Sequence, residues 1–240
     1  MRKNIIIIGI YLFIAAIATL PEIFVNDKYE LNSGEISIDK IKQKLDSKAL
    51  YANSIGSIIE VVSLDRSGFV INRGTGFFIE KNIILTNHHI IEKAKKIVVY
   101  FFNGINQEVL EVIDFDVEID FALLSVNANN NIFIKAGNSD DIVIGEKVYT
   151  IGNPEGFNFT FSDGIVSNIN NGNSILQKAG FNRIGNLIQT TVPISGGSSG
   201  GPLINEYGEV VGIIRGSYSG QNLNICIPIN TILNNTRWKK

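Results

Sequence analysis

Between Ser57 and Ile227 the chain breaks into about twelve short apolar segments, punctuated by Gly, Asn and Asp. Ser57–Leu64, Gly76–Ile79, Ile83–Thr86, Ile97–Phe102, Val109–Phe115 and Phe121–Val126 make up the first half. Lys147–Gly152, Gly164–Ile169, Leu187–Thr190, Pro202–Asn205, Val210–Arg215 and Leu223–Ile227 make up the second. Segments this short, punctuated this often and without long helices between them, predict an all-β barrel or sandwich. With 240 residues, 45% of them hydrophobic, the chain can bury a substantial core as one large domain or two small ones.

The net charge is −2 and both signs are scattered, so no clustered basic face exists to hold nucleic acid. Cys226 is the single cysteine, which excludes an internal disulfide. Its apolar neighbours Ile225 and Ile227 mark it as an inert core thiol.

The ends of the chain carry other signals. Arg2 and Lys3 precede an apolar run, Ile5–Leu20, that contains the small-residue pattern Ala16-Ile17-Ala18. Residues 1–20 therefore read as a signal peptide or an uncleaved membrane anchor. Either one exports the remainder, to the periplasm, the cell exterior or a membrane surface, and limits membrane contact to this segment. Residues 21–50 read as a linker followed by a short helix over 37–50, where Ile38, Ile41, Leu45 and Ala49 fall near helical spacing. The domain proper is expected over 51–240, with a short helix in the tail after Pro228.

Gly196-Gly197-Ser198-Ser199-Gly200-Gly201-Pro202 is the sharpest chemical signal. A nucleophilic serine needs a tight, exposed turn with backbone N–H groups converging beside it, and glycines permit both. The same residues fit the nucleophile elbow of α/β-hydrolases, but there the histidine follows the serine. His88 and His89, the only histidines, both precede Ser199, and the alternating helices of that fold are missing.

A serine hydroxyl needs a base, and the base needs an orienting acceptor. The base is one of the adjacent pair His88 and His89, at the end of an apolar strand. Acid candidates between base and serine are Asp114, Asp116, Asp120, Asp140, Asp141 and Asp163. Asp120 is best placed, at the mouth of the buried segment Phe121-Ala122-Leu123-Leu124, whereas Asp114 and Asp116 read as turn residues.

Four segments together resemble the trypsin-like serine peptidases, and most closely their bacterial HtrA/Deg branch. They are Gly74-Thr75-Gly76-Phe77-Phe78-Ile79, Leu85-Thr86-Asn87-His88-His89-Ile90, Ile119-Asp120-Phe121-Ala122-Leu123-Leu124, and Ile188-Gln189-Thr190 with Gly197-Ser198-Ser199-Gly200-Gly201-Pro202-Leu203. Ile144-Gly145-Glu146, Ile151-Gly152-Asn153-Pro154 and Gly164-Ile165-Val166-Ser167 match connecting motifs of that branch.

The resemblance assigns the base to His89 and implies a triad of His89, Asp120 and Ser199. It implies two perpendicular six-stranded antiparallel β-barrels, over about 51–135 and 136–228, with the triad between them. It also implies an oxyanion hole from the N–H groups of Gly197 and Ser199, a polypeptide substrate, and no cofactor or metal. The base of the specificity pocket is expected near Pro193 and Ile194. Neither is acidic, so small or aliphatic side chains are expected before the scissile bond, unless Arg215 near the pocket wall favours an acidic one. Two departures stand out. No PDZ domain of the kind usual in HtrA proteins is expected after the second barrel. Ser198 replaces the aspartate that pairs with a freed amine in activated zymogens, so no such switch is expected. The competing expectations are a peptidase dedicated to one partner, and a catalytically silent binding or chaperone-like relative.

Overall fold

The computed structural model of the protein describes residues 42–128, 132–171, 186–217 and 222–238. The leader expected at 1–20, the linker and the start of the helix expected over 37–50 lie outside the described residues. Among the described residues no helix is long and apolar enough to cross a membrane.

The first helix among the described residues, α1, covers Ser47–Ser54. This corrects the expectation of a helix over 37–50, because residues 42–46 are not helical. Asp46 sets the start: its carboxylate accepts the Ala49 N–H at 2.8 Å, a capping bond that outweighs a weak apolar spacing. Upstream, the Leu45 N–H is taken by the Glu206 carbonyl at 2.8 Å.

Among the described residues, thirteen strands follow in two sheets. β1 (Ile58–Leu64), β2 (Val70–Glu80), β3 (Ile83–Thr86), β4 (Lys96–Phe101), β5 (Asn106–Glu108), β6 (Glu111–Asp116) and β7 (Phe121–Ser125) pair antiparallel in the order β5-β4-β1-β2-β3-β7-β6. β8 (Lys147–Gly152), β9 (Thr160–Asn171), β10 (Asn186–Thr190), β11 (Pro202–Asn205), β12 (Val210–Ser217) and β13 (Asn224–Pro228) close into a barrel in the order β10-β13-β12-β11-β8-β9. The all-β, two-sheet, chymotrypsin-like architecture is therefore as expected. The second unit is the six-stranded barrel, while the first has a seventh strand and its ladder does not close. The extra strand, β5, is Asn106-Gln107-Glu108, too short and polar for any period-two pattern to betray it. A single helical turn, α2 (His88–Ile91), follows β3, and α3 (Ile229–Asn235) follows β13.

Most strands are buried on both faces, so alternate residues feed different cores. In the register Ile58↔Phe77, Phe77↔Leu85 and Leu85↔Leu123, one row points at a core shared with Ile151, Ile204, Ile213 and Ile227 of the barrel. The neighbouring residues Ile59, Phe78, Ile84 and Leu124 pack with Ile90 and Val99 inside the first sheet. Val148, Val166, Ile188, Leu203, Val211 and Cys226 fill the barrel. Cys226 is fully buried, and desolvation pushes its thiol far above the ordinary range, so it is an inert core residue.

A polar latch ties the chain's last described segment back to the first sheet. Asp114 on β6 accepts from Thr236 Oγ1 at 2.7 Å, from the Arg237 N–H at 2.6 Å and from Arg237 Nη2 at 3.2 Å. Burial alone would raise the Asp114 carboxyl, but these three donors outweigh it and hold the group below its usual value. A lowered folded value means that the latch stabilises the protein above the pH where an unfolded aspartate titrates. That contribution fades as pH falls through the folded value. Asp114→Ala should cost roughly 2–3 kcal/mol at neutral pH. In urea unfolding, the gap between variant and parent should narrow steadily as pH drops below about 4; a gap independent of pH would refute the latch.

Candidate active site

The end of β3 delivers the histidine. Asn87 caps α2 in an extended conformation, and the single helical turn swings His88 and His89 in different directions. His88 stacks on Phe115, with ring centroids 5.1 Å apart. His89 instead turns toward Asp120: its Nδ1 lies 2.8 Å from Asp120 Oδ2, and its backbone N–H donates to Asp120 Oδ1 at 2.9 Å.

Asp120 is held by its own turn. The Asp116 carboxylate accepts the N–H groups of Glu118 and Ile119, each at 2.9 Å, and the Asp120 N–H donates to the Asp116 carbonyl. The turn forces Asp120 to φ 68°, a left-handed conformation that costs a non-glycine residue about 1 kcal/mol or more. The buried Asn87 offsets this by donating Nδ2 to the Asp120 carbonyl at 2.9 Å. Asp120 is only 4% exposed, so its carboxylate is a rigid, desolvated acceptor. Of the two nearby candidates, Asp116 builds this turn and Asp114 belongs to the latch.

The loop from Ser195 to Gly201 has a regular division of labour. Its N–H groups at Gly196, Ser198, Gly200 and Gly201 find acceptors in Glu155 Oε1 (3.0 Å), the Ser195 carbonyl (3.0 Å), the Ile214 carbonyl (2.8 Å) and the Ser198 carbonyl (3.0 Å). Three of its carbonyls are taken up by neighbouring segments. Gly196 O accepts from the Glu155 N–H at 2.7 Å, Gly197 O from Thr75 Oγ1 at 2.7 Å, and Ser199 O from the Thr75 N–H at 2.8 Å. Among the described residues, the N–H groups of Gly197 and Ser199 have no recorded acceptor. Gly197 sits at φ 92°, and a Cβ there would lie 2.3 Å from the Asn153 carbonyl.

Thr75, Asn153 and Glu155 are the residues that sequence reasoning passed over. Thr75 was visible only as part of a glycine-flanked strand. Its hydroxyl donates to Gly197 O and accepts the Asn153 N–H at 3.0 Å, joining the first sheet to the serine loop. Nothing local in the sequence signals such a bridge, because Thr75 and Gly197 meet only in three dimensions. Gly200, at φ 83°, lies so close to β2 that a Cβ would come 2.0 Å from the Thr75 carbonyl. Gly200→Ala should therefore destabilise the protein by roughly 3 kcal/mol or more, through backbone strain plus a clash that no side-chain movement relieves. A thermal midpoint unchanged by this substitution would contradict the tight packing.

The Ser199 hydroxyl is half-buried and donates to the Arg215 carbonyl at 3.1 Å. No hydrogen bond joins it to His89 among the described residues. Of the residues expected to line a specificity pocket, Pro193 is exposed and Ile194 packs against the barrel core. Arg215, expected near the pocket wall, has its Nε 3.1 Å from Asp120 Oδ2. A separate cavity of about 310 Å³ opens beside Gly196 and Gly197, lined also by Glu60, Arg73, Asn153 and Glu155.

The family model for a trypsin-like peptidase domain matches residues 74–213. A probable periplasmic serine endoprotease, DegP-like, of Chlamydia muridarum is 38% identical over 149 residues, covering 62% of this chain and 29% of that protein. The serine protease Do-like HtrB of Bacillus subtilis is 36% identical over 159 residues, covering 64% of this chain and 34% of its own length. The match thus spans about a third of those relatives. Among solved structures, the HtrA-type protease AlgW with tripeptide superposes with a TM-score of 0.70 at 26% identity, covering 79% of this chain and 62% of that one. Motif order, two-sheet fold and matched relatives converge, and the chain belongs to the trypsin-like peptidase family.

Proposed function

We propose that the protein is a serine endopeptidase of the HtrA type that acts on polypeptides outside the cytoplasm. The observation that carries the reading is the pairing of two half-sites. Asp120 holds His89 by both carboxylate oxygens, and a loop turned so that Gly197 and Ser199 keep their N–H groups unspent carries Ser199. Export rests on the apolar segment at 1–20 and on the periplasmic naming of relatives such as the Chlamydia muridarum protein.

In the proposed reaction Ser199 Oγ attacks the peptide carbonyl carbon while His89 Nε2 takes the hydroxyl proton. The carbonyl oxygen becomes an oxyanion and accepts from the Gly197 and Ser199 N–H groups. Such donors are worth about 3 kcal/mol of barrier each, because they are already oriented before charge develops. Asp120 accepts the Nδ1–H and stabilises the imidazolium. His89 then protonates the leaving amine, the C–N bond breaks, and an acyl ester remains on Ser199. Water, deprotonated by His89, attacks the ester and releases the acid.

A fluorophosphonate probe tests the reading directly. Covalent labelling at Ser199 is the expected outcome; a folded protein that stays unlabelled under all conditions would favour the silent binding relative. For specificity we infer small or aliphatic side chains before the cut, since neither Pro193 nor Ile194 brings a charge to the loop. Digesting an unfolded protein and reading the new termini by mass spectrometry checks this. Cuts concentrated after Lys or Arg would refute it.

A further inference from the structure

Arg215 touches two members of the proposed triad from one irregular point in the barrel. In the β12–β13 ladder Ile214 pairs with Cys226 and Gly216 with Ile225, which leaves Arg215 as the extra residue of a β-bulge. A bulge re-aims the residue it carries. Here the carbonyl of Arg215 receives the Ser199 hydroxyl at 3.1 Å, while its Nε reaches 3.1 Å from Asp120 Oδ2. That oxygen is the same one that faces His89 Nδ1 at 2.8 Å.

We propose that Arg215 is a built-in brake on the triad, a positioning residue that acts through Asp120 and Ser199 rather than on substrate. The inference rests on the serine-peptidase reading above. In the transition state, positive charge develops on the imidazole, and the Asp120 carboxylate is there to meet it. A fixed cation on the same carboxylate oxygen repels that developing charge and offsets part of the attraction. Asp120 is buried and the Arg215 side chain is only 36% exposed, so water screens this repulsion incompletely.

Nor is the cation required to orient the carboxylate. The His89 N–H fixes Oδ1, and Asn87 fixes the Asp120 backbone. The contact with Nε is an ion pair by distance and is not a well-directed hydrogen bond. The backbone acts in the same sense as the side chain: a serine proton given to the Arg215 carbonyl is not given to His89.

The test uses Arg215→Met, which keeps an extended stem and the backbone carbonyl but removes the charge, beside Arg215→Lys, which keeps it. Fluorophosphonate labelling of Ser199 and peptide hydrolysis are followed at a pH of about 9, well above the ordinary imidazole range of about 6.5. Rates are expressed per active site, by titrating the labelled fraction, so that any loss of folded protein is removed. R215M should label and acylate about tenfold faster than the parent, with KM nearly unchanged, while R215K stays at the slow rate. Salt supplies a second readout. Raising ionic strength should speed the parent, whose half-buried cation becomes better screened, and leave R215M nearly unmoved. A parent that labels, with R215M equal or slower and the same salt response in both, overturns the brake while leaving the peptidase reading intact. If neither protein labels, the peptidase reading fails and the brake fails with it.

Discussion

Alanine in place of Ser199 should lower peptide turnover on the order of 10⁶-fold and abolish fluorophosphonate labelling, with little change in KM. The size follows from what alanine removes. In the proposed mechanism the acyl ester forms on the Ser199 oxygen, beside the Gly197 and Ser199 N–H groups. Those donors belong to the backbone and survive the substitution, so a residual acceleration of about 10³–10⁴ over water should remain. The fold should also survive. The hydroxyl makes one recorded hydrogen bond, to the Arg215 carbonyl, and losing a bond of that kind costs about 1 kcal/mol. Steady-state kinetics beside a urea titration separates the two effects. A well-folded S199A protein that still cleaves its substrate at the parental rate would end the proposed mechanism.

The second large effect belongs to Asp120→Asn, which should reduce kcat by about 10⁴. The geometry is the reason an isosteric change should be so damaging. Asp120 presents two acceptors to His89 at once, one to the backbone N–H at 2.9 Å and one to Nδ1 at 2.8 Å. An amide has a single acceptor oxygen. If that oxygen keeps the backbone N–H, the NH₂ faces Nδ1 and selects the imidazole tautomer whose Nε2 already carries a proton. That tautomer cannot accept the serine proton. If the oxygen faces Nδ1 instead, the NH₂ opposes a backbone N–H and the loop must shift. The measurement is kcat for the variant across pH. A loss smaller than about tenfold would mean that the Asp120–His89 pair is structural rather than part of the chemistry.

Several elements are legible in the sequence because their signals are local. Glycines around Ser199 announced a tight turn, and Gly197 and Gly200 do adopt positive φ values. The apolar run after Asp120 became the buried β7, and the lone Cys226 became core. Where local signals are weak, the tertiary structure decides. The helix expected over 37–50 begins only at Ser47, since one capping aspartate decides a start that four loosely spaced apolar residues cannot. The seventh strand of the first sheet is polar and three residues long, and it gains strand geometry only by pairing with β4.

The order of the motifs, the spacing of short apolar segments and the glycines of the serine loop were determined by the sequence alone, because turn chemistry and period-two burial act within a few residues. Which oxygen of Asp120 meets which nitrogen of His89, how Thr75 and Glu155 take up the loop carbonyls, and where the charge of Arg215 lands were decided only by the tertiary structure. Those contacts join residues separated by many tens of positions, and their geometry exists only once two sheets and a bulge have packed against one another.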